Sequence, residues 1–221
     1  FTNIAQKNRF AKKGQIFYLS LHVKIVLIST VVLIVSGFVF TFISFYKTSL
    51  WEIPLSKRIL TALFESVTLR TAGFETIPQT SFTSSASLFH LILMFIGGSP
   101  GSIAGGVKTT TAFITLLYLL DGNEQRTTVS FANRRIPSNI INKSITIVSR
   151  SVLILLISAI SLSYVENHLI SNGTISLIDI IYESVSALAT VGLSRGLTPQ
   201  LSYLGKLIII ITMYIGRTGI Y

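Results

Sequence analysis

Thr190-Val191-Gly192-Leu193-Ser194 follows a short apolar run, residues 176–188, in a chain whose surroundings are hydrophobic. Inside lipid, irregular backbone is tolerated only where it is buried in protein or lines a watery cavity, and carbonyls freed there can replace the hydration shell of a cation. Thr71-Ala72-Gly73-Phe74, after the short apolar run 59–69, invites the same reading. Gly73 and Gly192 permit backbone angles that a side chain would exclude.

The two stretches belong to a duplication. Glu65-Ser66-Val67 recurs as Glu183-Ser184-Val185, Pro78-Gln79 as Pro199-Gln200, and Met94-Phe95-Ile96-Gly97 as Met213-Tyr214-Ile215-Gly216. A period of roughly 120 residues is too long for a solenoid and suits a membrane unit of outer helix, pore loop and inner helix. The runs 59–69 and 176–188 are far shorter than the roughly 20 residues of a span, so the chain is expected to turn back within the membrane. Their helix C-termini, each worth roughly half a negative charge, would favour a cation. Thr-Val-Gly is also how the potassium-channel filter loop begins.

Between the two loops lies a third irregular stretch. As one helix, the apolar region 82–120 would run roughly 58 Å, well beyond one bilayer crossing. It is therefore predicted to break at Gly97-Gly98-Ser99-Pro100-Gly101-Ser102-Ile103-Ala104-Gly105-Gly106, where five glycines and a proline supply the means. A small-residue surface for helix packing is the plainer alternative.

Arg70-Thr71-Ala72-Gly73-Phe74, the glycine-rich run continued through Lys108-Thr109-Thr110-Thr111, and Ile215-Gly216-Arg217 resemble the Ktr/Trk/HKT potassium-transporter superfamily. The Ser99-Pro100 pair and the Lys108–Thr111 end are nearer to the Ktr membrane subunit than to its Trk relatives. The resemblance implies an all-α transmembrane fold in which four units of outer helix, re-entrant pore loop and inner helix surround a pseudo-fourfold pore. This chain resembles the third and fourth units. The family's function would be potassium uptake. Thr71, Ala72, Gly73 and Phe74 with Thr190, Val191, Gly192, Leu193 and Ser194 would be the selectivity filter, contacting potassium through backbone carbonyls. Residues Gly97 to Gly106 would be an intramembrane gate, held in part by Arg217. Glu65 and Glu183 would then brace the filter from behind, through backbone N–H groups or through Arg70 and Arg195. No cofactor is implied in this chain; potassium is the substrate, with sodium as a coupling or activating ion. The partners implied are a second membrane subunit, forming a homodimer, and a cytoplasmic nucleotide-binding regulatory ring. A bacterial plasma membrane is the implied location. Two other readings stay open: a sodium or mixed sodium and potassium transporter, since some relatives carry serine for a filter glycine, and a non-conducting membrane scaffold.

Composition agrees with a multi-pass membrane protein. Of 221 residues 50% are hydrophobic and 12% charged, and the mean hydropathy is +0.68. The net charge of +10 gathers beside the apolar runs, which fits the positive-inside pattern rather than nucleic-acid binding. Four segments follow: a cytoplasmic basic segment 1–20 with Lys7, Arg9, Lys12 and Lys13; a pore unit 21–122; a cytoplasmic linker 123–145 with Arg126, Arg134, Arg135 and Lys143; and a second unit 146–221. Phe1 at the start and Tyr221 inside an apolar run suggest a piece of a longer subunit. His22, His90 and His168 have no ligand spacing and read as structural or surface residues. No nucleophile and base pairing or Walker spacing occurs, so an enzyme is not expected.

Overall fold

Ser20 starts the first long helix: its hydroxyl accepts the Val23 N–H, and α1, Leu21–Phe45, follows. The computed structural model describes residues 20–46, 48, 52, 54–121, 129–132 and 134–218. The basic segment with Lys7, Arg9, Lys12 and Lys13, and Arg126 of the linker, lie outside the described residues. Valine, isoleucine and phenylalanine dominate α1, yet it is helical, because lipid leaves the backbone no other way to satisfy its polar groups. Helix α2, Leu55–Thr68, has 14 residues and cannot span. A 3₁₀ turn, Gln79–Ser81, leads to α3, Ser84–Phe95, whose N-terminus is capped by the Thr83 side chain. The predicted break follows, and the chain resumes helix as α4, Thr109–Asp121.

The linker is not wholly irregular or helical. Strands β1, Val129–Phe131, and β2, Arg134–Ile136, form an antiparallel hairpin with Val129 opposite Ile136. This corrects the all-α expectation. β-Branched and aromatic residues suit a short half-buried ladder, and Ala132, with φ of 50°, makes the reversal. Val129 and Ile136 turn inward onto Ile114 and Ile141. Helix α5, Ser138–Val165, starts ahead of the expected 146 because Pro137 fixes an extended N-cap there. It is followed by α6, Asn167–Ser171, α7, Leu177–Leu188, and α8, Tyr203–Thr218. A capping box, Ser176 with Asp179, opens α7. Glu166 is buried, and its Oε1 accepts both the N–H and the hydroxyl of Ser202, fixing the approach to α8.

Among the described residues two helices, α1 and α5, are long and apolar enough to cross a membrane. Their outward faces carry exposed valine, isoleucine and leucine, such as Val31, Val35, Ile43, Leu153 and Ile160, a surface suited to lipid rather than water. Inside, α1 packs on α2, α3 and α4, while α7 packs on α3, α5 and α8. The α3–α7 contact joins the two halves through Leu91, Leu93, Met94, Tyr182 and Val185.

Gly37 sets the α1–α2 distance. A Cβ there would stand 2.5 Å from Ser66 Oγ, which donates to the Ile34 carbonyl at 2.7 Å. Gly37→Leu should therefore cost about 1–3 kcal/mol and lower the unfolding temperature of the detergent-solubilised full-length protein. Val35→Leu, on the exposed face, should leave that temperature unchanged.

Candidate functional site

Both short helices end with a threonine in the left-handed region. Thr71 has φ of 70° and Thr190 of 53°; two residues on, Gly73 and Gly192 have φ of 76° and 96°. After α7 the Thr190 N–H donates to Ala187 O at 3.1 Å and the Val191 N–H to Ser186 O at 2.9 Å. This is the Schellman pairing, with threonine where glycine is usual. After α2 the closure is looser, with the N–H groups of Ala72 and Gly73 both reaching Thr68 O, at 3.1 and 3.2 Å. A β-branched residue held left-handed costs on the order of 1–3 kcal/mol and persists only where its surroundings over-determine it. Sequence reasoning placed the special backbone at the glycines; the recurring Thr-x-Gly spacing was the signal for the threonines. The Phe74 carbonyl accepts Thr68 Oγ1 at 2.7 Å, and the Gly192 N–H reaches Ser186 Oγ at 3.2 Å.

Behind each loop a buried glutamate holds the descending limb. Glu65 accepts Thr76 Oγ1 and Gln79 Nε2, each at 3.3 Å. Glu183 accepts Ser194 Oγ at 2.8 Å and also Thr198 Oγ1. Thr76 and Ser194 each lie 11 residues after their glutamate. Among the described residues the carboxylates are thus held by hydroxyl and amide side chains, not by backbone N–H groups or by Arg70 and Arg195 as expected, because side chains on the limb reach the buried oxygens directly.

Arg195 has another task. Its Nε pairs with Asp179 Oδ1 at 2.7 Å, while Nη1 donates to Gln79 O at 2.9 Å and Ser87 Oγ at 2.6 Å. Tyr182, fully buried, donates to Gln79 Oε1 at 2.8 Å. Gln79 therefore joins Glu65 of the first half to Tyr182 and Arg195 of the second. Burial raises the Asp179 carboxyl, but hydrogen bonds from Ser176 and Arg195, with the guanidinium charge, outweigh it and hold the group below the ordinary carboxylate range. The stabilisation from the Asp179–Arg195 pair is thus complete above that range and is lost only as pH falls through the lowered value.

The two loops and the glycine-rich stretch meet backbone to backbone. A Cβ on Gly73 would come within 2.0 Å of Val191 O. One on Gly105 would strike Thr190 Oγ1 and Ala189 O, and one on Gly97 would strike Gly105 O, with Thr71 Cγ2 at 3.5 Å. Gly216 of α8 lies equally close to Leu188 O. At Gly192, by contrast, nothing lies within 4 Å of where a Cβ would stand. The stretch from Gly97 to Gly106 is closed at its neck by Gly97 N–H to Val107 O at 2.9 Å, Val107 N–H to Phe95 O at 3.1 Å and Thr109 N–H to Gly98 O at 3.2 Å. Beyond the neck, Ser99, Pro100, Gly101, Ser102, Ile103 and Ala104 form the tip, where Ser102 Oγ donates to Ser99 O at 2.7 Å and Ile103 is 85% exposed.

Cations hold this stretch. Arg217 Nη1 donates to Ile103 O, Lys108 Nζ to Ala104 O and Ser102 O, and Arg70 Nη2 to Gly97 O at 3.5 Å. The sequence reading took Lys108 only as part of a motif end and gave it no role in holding this stretch. A cavity of about 290 Å³ lies alongside, walled by Ser102 to Gly106, Lys108, Gly216 and Arg217 with Ile147 and Ser151 of α5. His90 is buried, with Nε2 3.2 Å from Thr41 Oγ1 and its ring edge-on to Phe82. Among the described residues no group of three or more histidines, cysteines or acids could hold a metal.

The family model for the cation transport protein TrkH matches residues 10–221. The chain is 34% identical over 203 residues to the potassium/sodium uptake protein NtpJ of Enterococcus hirae, covering 91% of this chain and 44% of NtpJ. It is 33% identical over 202 residues to the Ktr system potassium uptake protein B of Bacillus subtilis, covering 90% of this chain and 44% of that protein. With the protein of the same name from Vibrio alginolyticus it shares 33% over 221 residues, 99% of this chain and 47% of the relative. It therefore spans less than half the length of these relatives, all of them described as uptake proteins. The crystal structure of the potassium transporter TrkH from Vibrio parahaemolyticus has a similar fold, with a TM-score of 0.69 at 20% identity over 87% of this chain and 42% of that one.

The Gln79 junction predicts a stability cost. Removing the Tyr182 hydroxyl leaves a buried amide oxygen without its donor, so Tyr182→Phe should destabilise the full-length protein by about 1–3 kcal/mol. Thermal unfolding checks this, and an unchanged midpoint contradicts it.

Proposed function

This chain belongs to the TrkH family of cation transport proteins, and from that premise we propose that it is half of the ion-translocating subunit of a Ktr-type potassium uptake system. The observation that carries the reading is the pair of Thr-x-Gly loops, left-handed at threonine and glycine alike, each at the C-terminus of a helix too short to span. Such backbone turns successive peptide planes out of helical register, which is what a carbonyl-lined cation path needs. The helix ends add negative potential without a fixed charge beside the ion. On this reading Thr71 to Phe74 and Thr190 to Ser194 supply two of four sectors of a potassium filter. α1 and α5 are the outer helices, α2 and α7 the re-entrant pore helices, and α3 with α4, and α8, the inner helices of two units around a pseudo-fourfold axis. The setting is a bacterial plasma membrane.

The stretch Gly97 to Gly106 is the gate in this account. It touches Thr71, Ala189 and Thr190, so it stands next to the filter, and three cationic side chains are tied to its carbonyls. Positive charge in the ion path repels potassium until the loop moves. A sodium or mixed transporter is the second reading, favoured by the likeness to a protein named for both ions; sodium as a coupling or activating ion fits either. The reading extends to docking of a cytoplasmic nucleotide-binding ring and pairing of two membrane subunits; the likeness to proteins named as parts of a Ktr system supports a multi-component assembly. The exposed Arg134, Arg135 and Lys143 offer the ring a surface.

Three outcomes test this. Gly192→Ser forces a side chain onto a φ of 96° and into open space, so potassium-over-sodium discrimination in flux competition should fall about tenfold or more; an unchanged ratio contradicts the filter. Shortening the chain between Gly98 and Gly105, or Arg217→Ala, should raise potassium flux with little change in selectivity, whereas wild-type flux in both at normal expression removes the gate. Neutralising Arg126, Arg134, Arg135 and Lys143 together should abolish co-purification of the ring, and its survival moves the docking site elsewhere.

A further inference from the structure

A second cavity, of about 530 Å³, opens where the starts of α1 and α5 meet the hairpin and the tip of the glycine-rich stretch. His22 of α1, Arg135 of β2 and Lys143 of α5 line it together with Lys108, and no carboxylate is among its described lining residues. Lys108 is engaged with the carbonyls of Ser102 and Ala104. The side chains of His22, Arg135 and Lys143 have no ion pair or hydrogen bond among the described residues. Charges that merely orient helices need not converge, whereas Arg135 of β2, Lys143 of α5 and Lys108 just before α4 come from separate parts of the chain onto one hollow. The rest of its wall is apolar, with Leu21, Ile25, Ile136 and Ile147, and Thr110, Thr111 and Asn139 add uncharged hydrogen-bonding groups.

We propose that this cavity seats the phosphate of an anionic phospholipid. Positive charge above an apolar wall suits a headgroup carrying an acyl chain, whereas a free anion would leave that wall against water. The two span-length helices both begin here, which places the cavity at the edge of the bilayer, on the side that the basic residues mark as cytoplasmic. Pro100 and Gly101 line the same cavity, so a seated lipid touches the tip of the stretch held by Lys108. Any effect on ion flow through that contact rests on the gate reading above; the binding itself does not.

The test is lipid retention by the purified full-length subunit, read by native mass spectrometry with phosphatidylglycerol against phosphatidylcholine. Arg135→Gln with Lys143→Gln should weaken phosphatidylglycerol binding about 30-fold, from roughly fivefold per neutralised cation. Arg134→Gln is the control, because Arg134 does not line the cavity; binding there should match wild type. Equal retention of the two lipids, equal loss in the control, or displacement of phosphatidylglycerol by inorganic phosphate alone overturns the proposal. So does normal lipid binding in the double variant, whether or not a protein partner is lost. Because lipid is counted rather than ions, failure here leaves the transport reading untouched, and failure of transport leaves this one untouched.

Discussion

The missing Cβ at Gly73, Gly97, Gly105 and Gly216 is the constraint on which the rest of the site depends. At each of these positions a backbone carbonyl occupies the space where a side chain would begin, so loops and helix ends lie directly on one another. That contact packs the first loop on the second, the glycine-rich stretch on both, and α8 on the end of α7. Even alanine at these positions would push the elements apart, and close packing gives little room for relaxation.

Close approach alone would leave strained turns free to relax. The threonines at 71 and 190 stay left-handed because what surrounds them is fixed: two buried glutamates hold the limbs that descend from the loops, and Gln79 ties the glutamate of one half to Tyr182 and Arg195 of the other. Every bond in that network is between groups that would be costly to bury alone. The arrangement is a bonded frame beside the glycine-rich stretch, and Lys108 and Arg217 donate to that stretch rather than to the loops.

Much of this was legible in the sequence. The duplication of Glu-Ser-Val and of Thr-x-Gly located both loops, the excess length of the apolar region 82–120 demanded a break, and the short runs implied helices that cannot cross. What escaped was set by three-dimensional neighbours. Arg195 follows its loop closely, so Glu183 looked like its partner, yet the fold brings it to Asp179, Gln79 and Ser87, the last two from the other half of the chain. Lys108 read as part of a motif end until its ammonium was seen on the carbonyls it holds. The hairpin was hidden because three-residue strands leave almost no periodicity, and the Glu166 contact because nothing local announces Ser202 as its partner.

The central claim is that the two loops hold a dehydrated potassium ion with backbone oxygens. Anomalous diffraction from crystals of the complete subunit soaked in rubidium tests it most directly. The account predicts anomalous density on the axis between residues 71–74 and 190–194, lost when sodium replaces rubidium. Density confined to side chains elsewhere, or none between the loops at saturating rubidium, would contradict it.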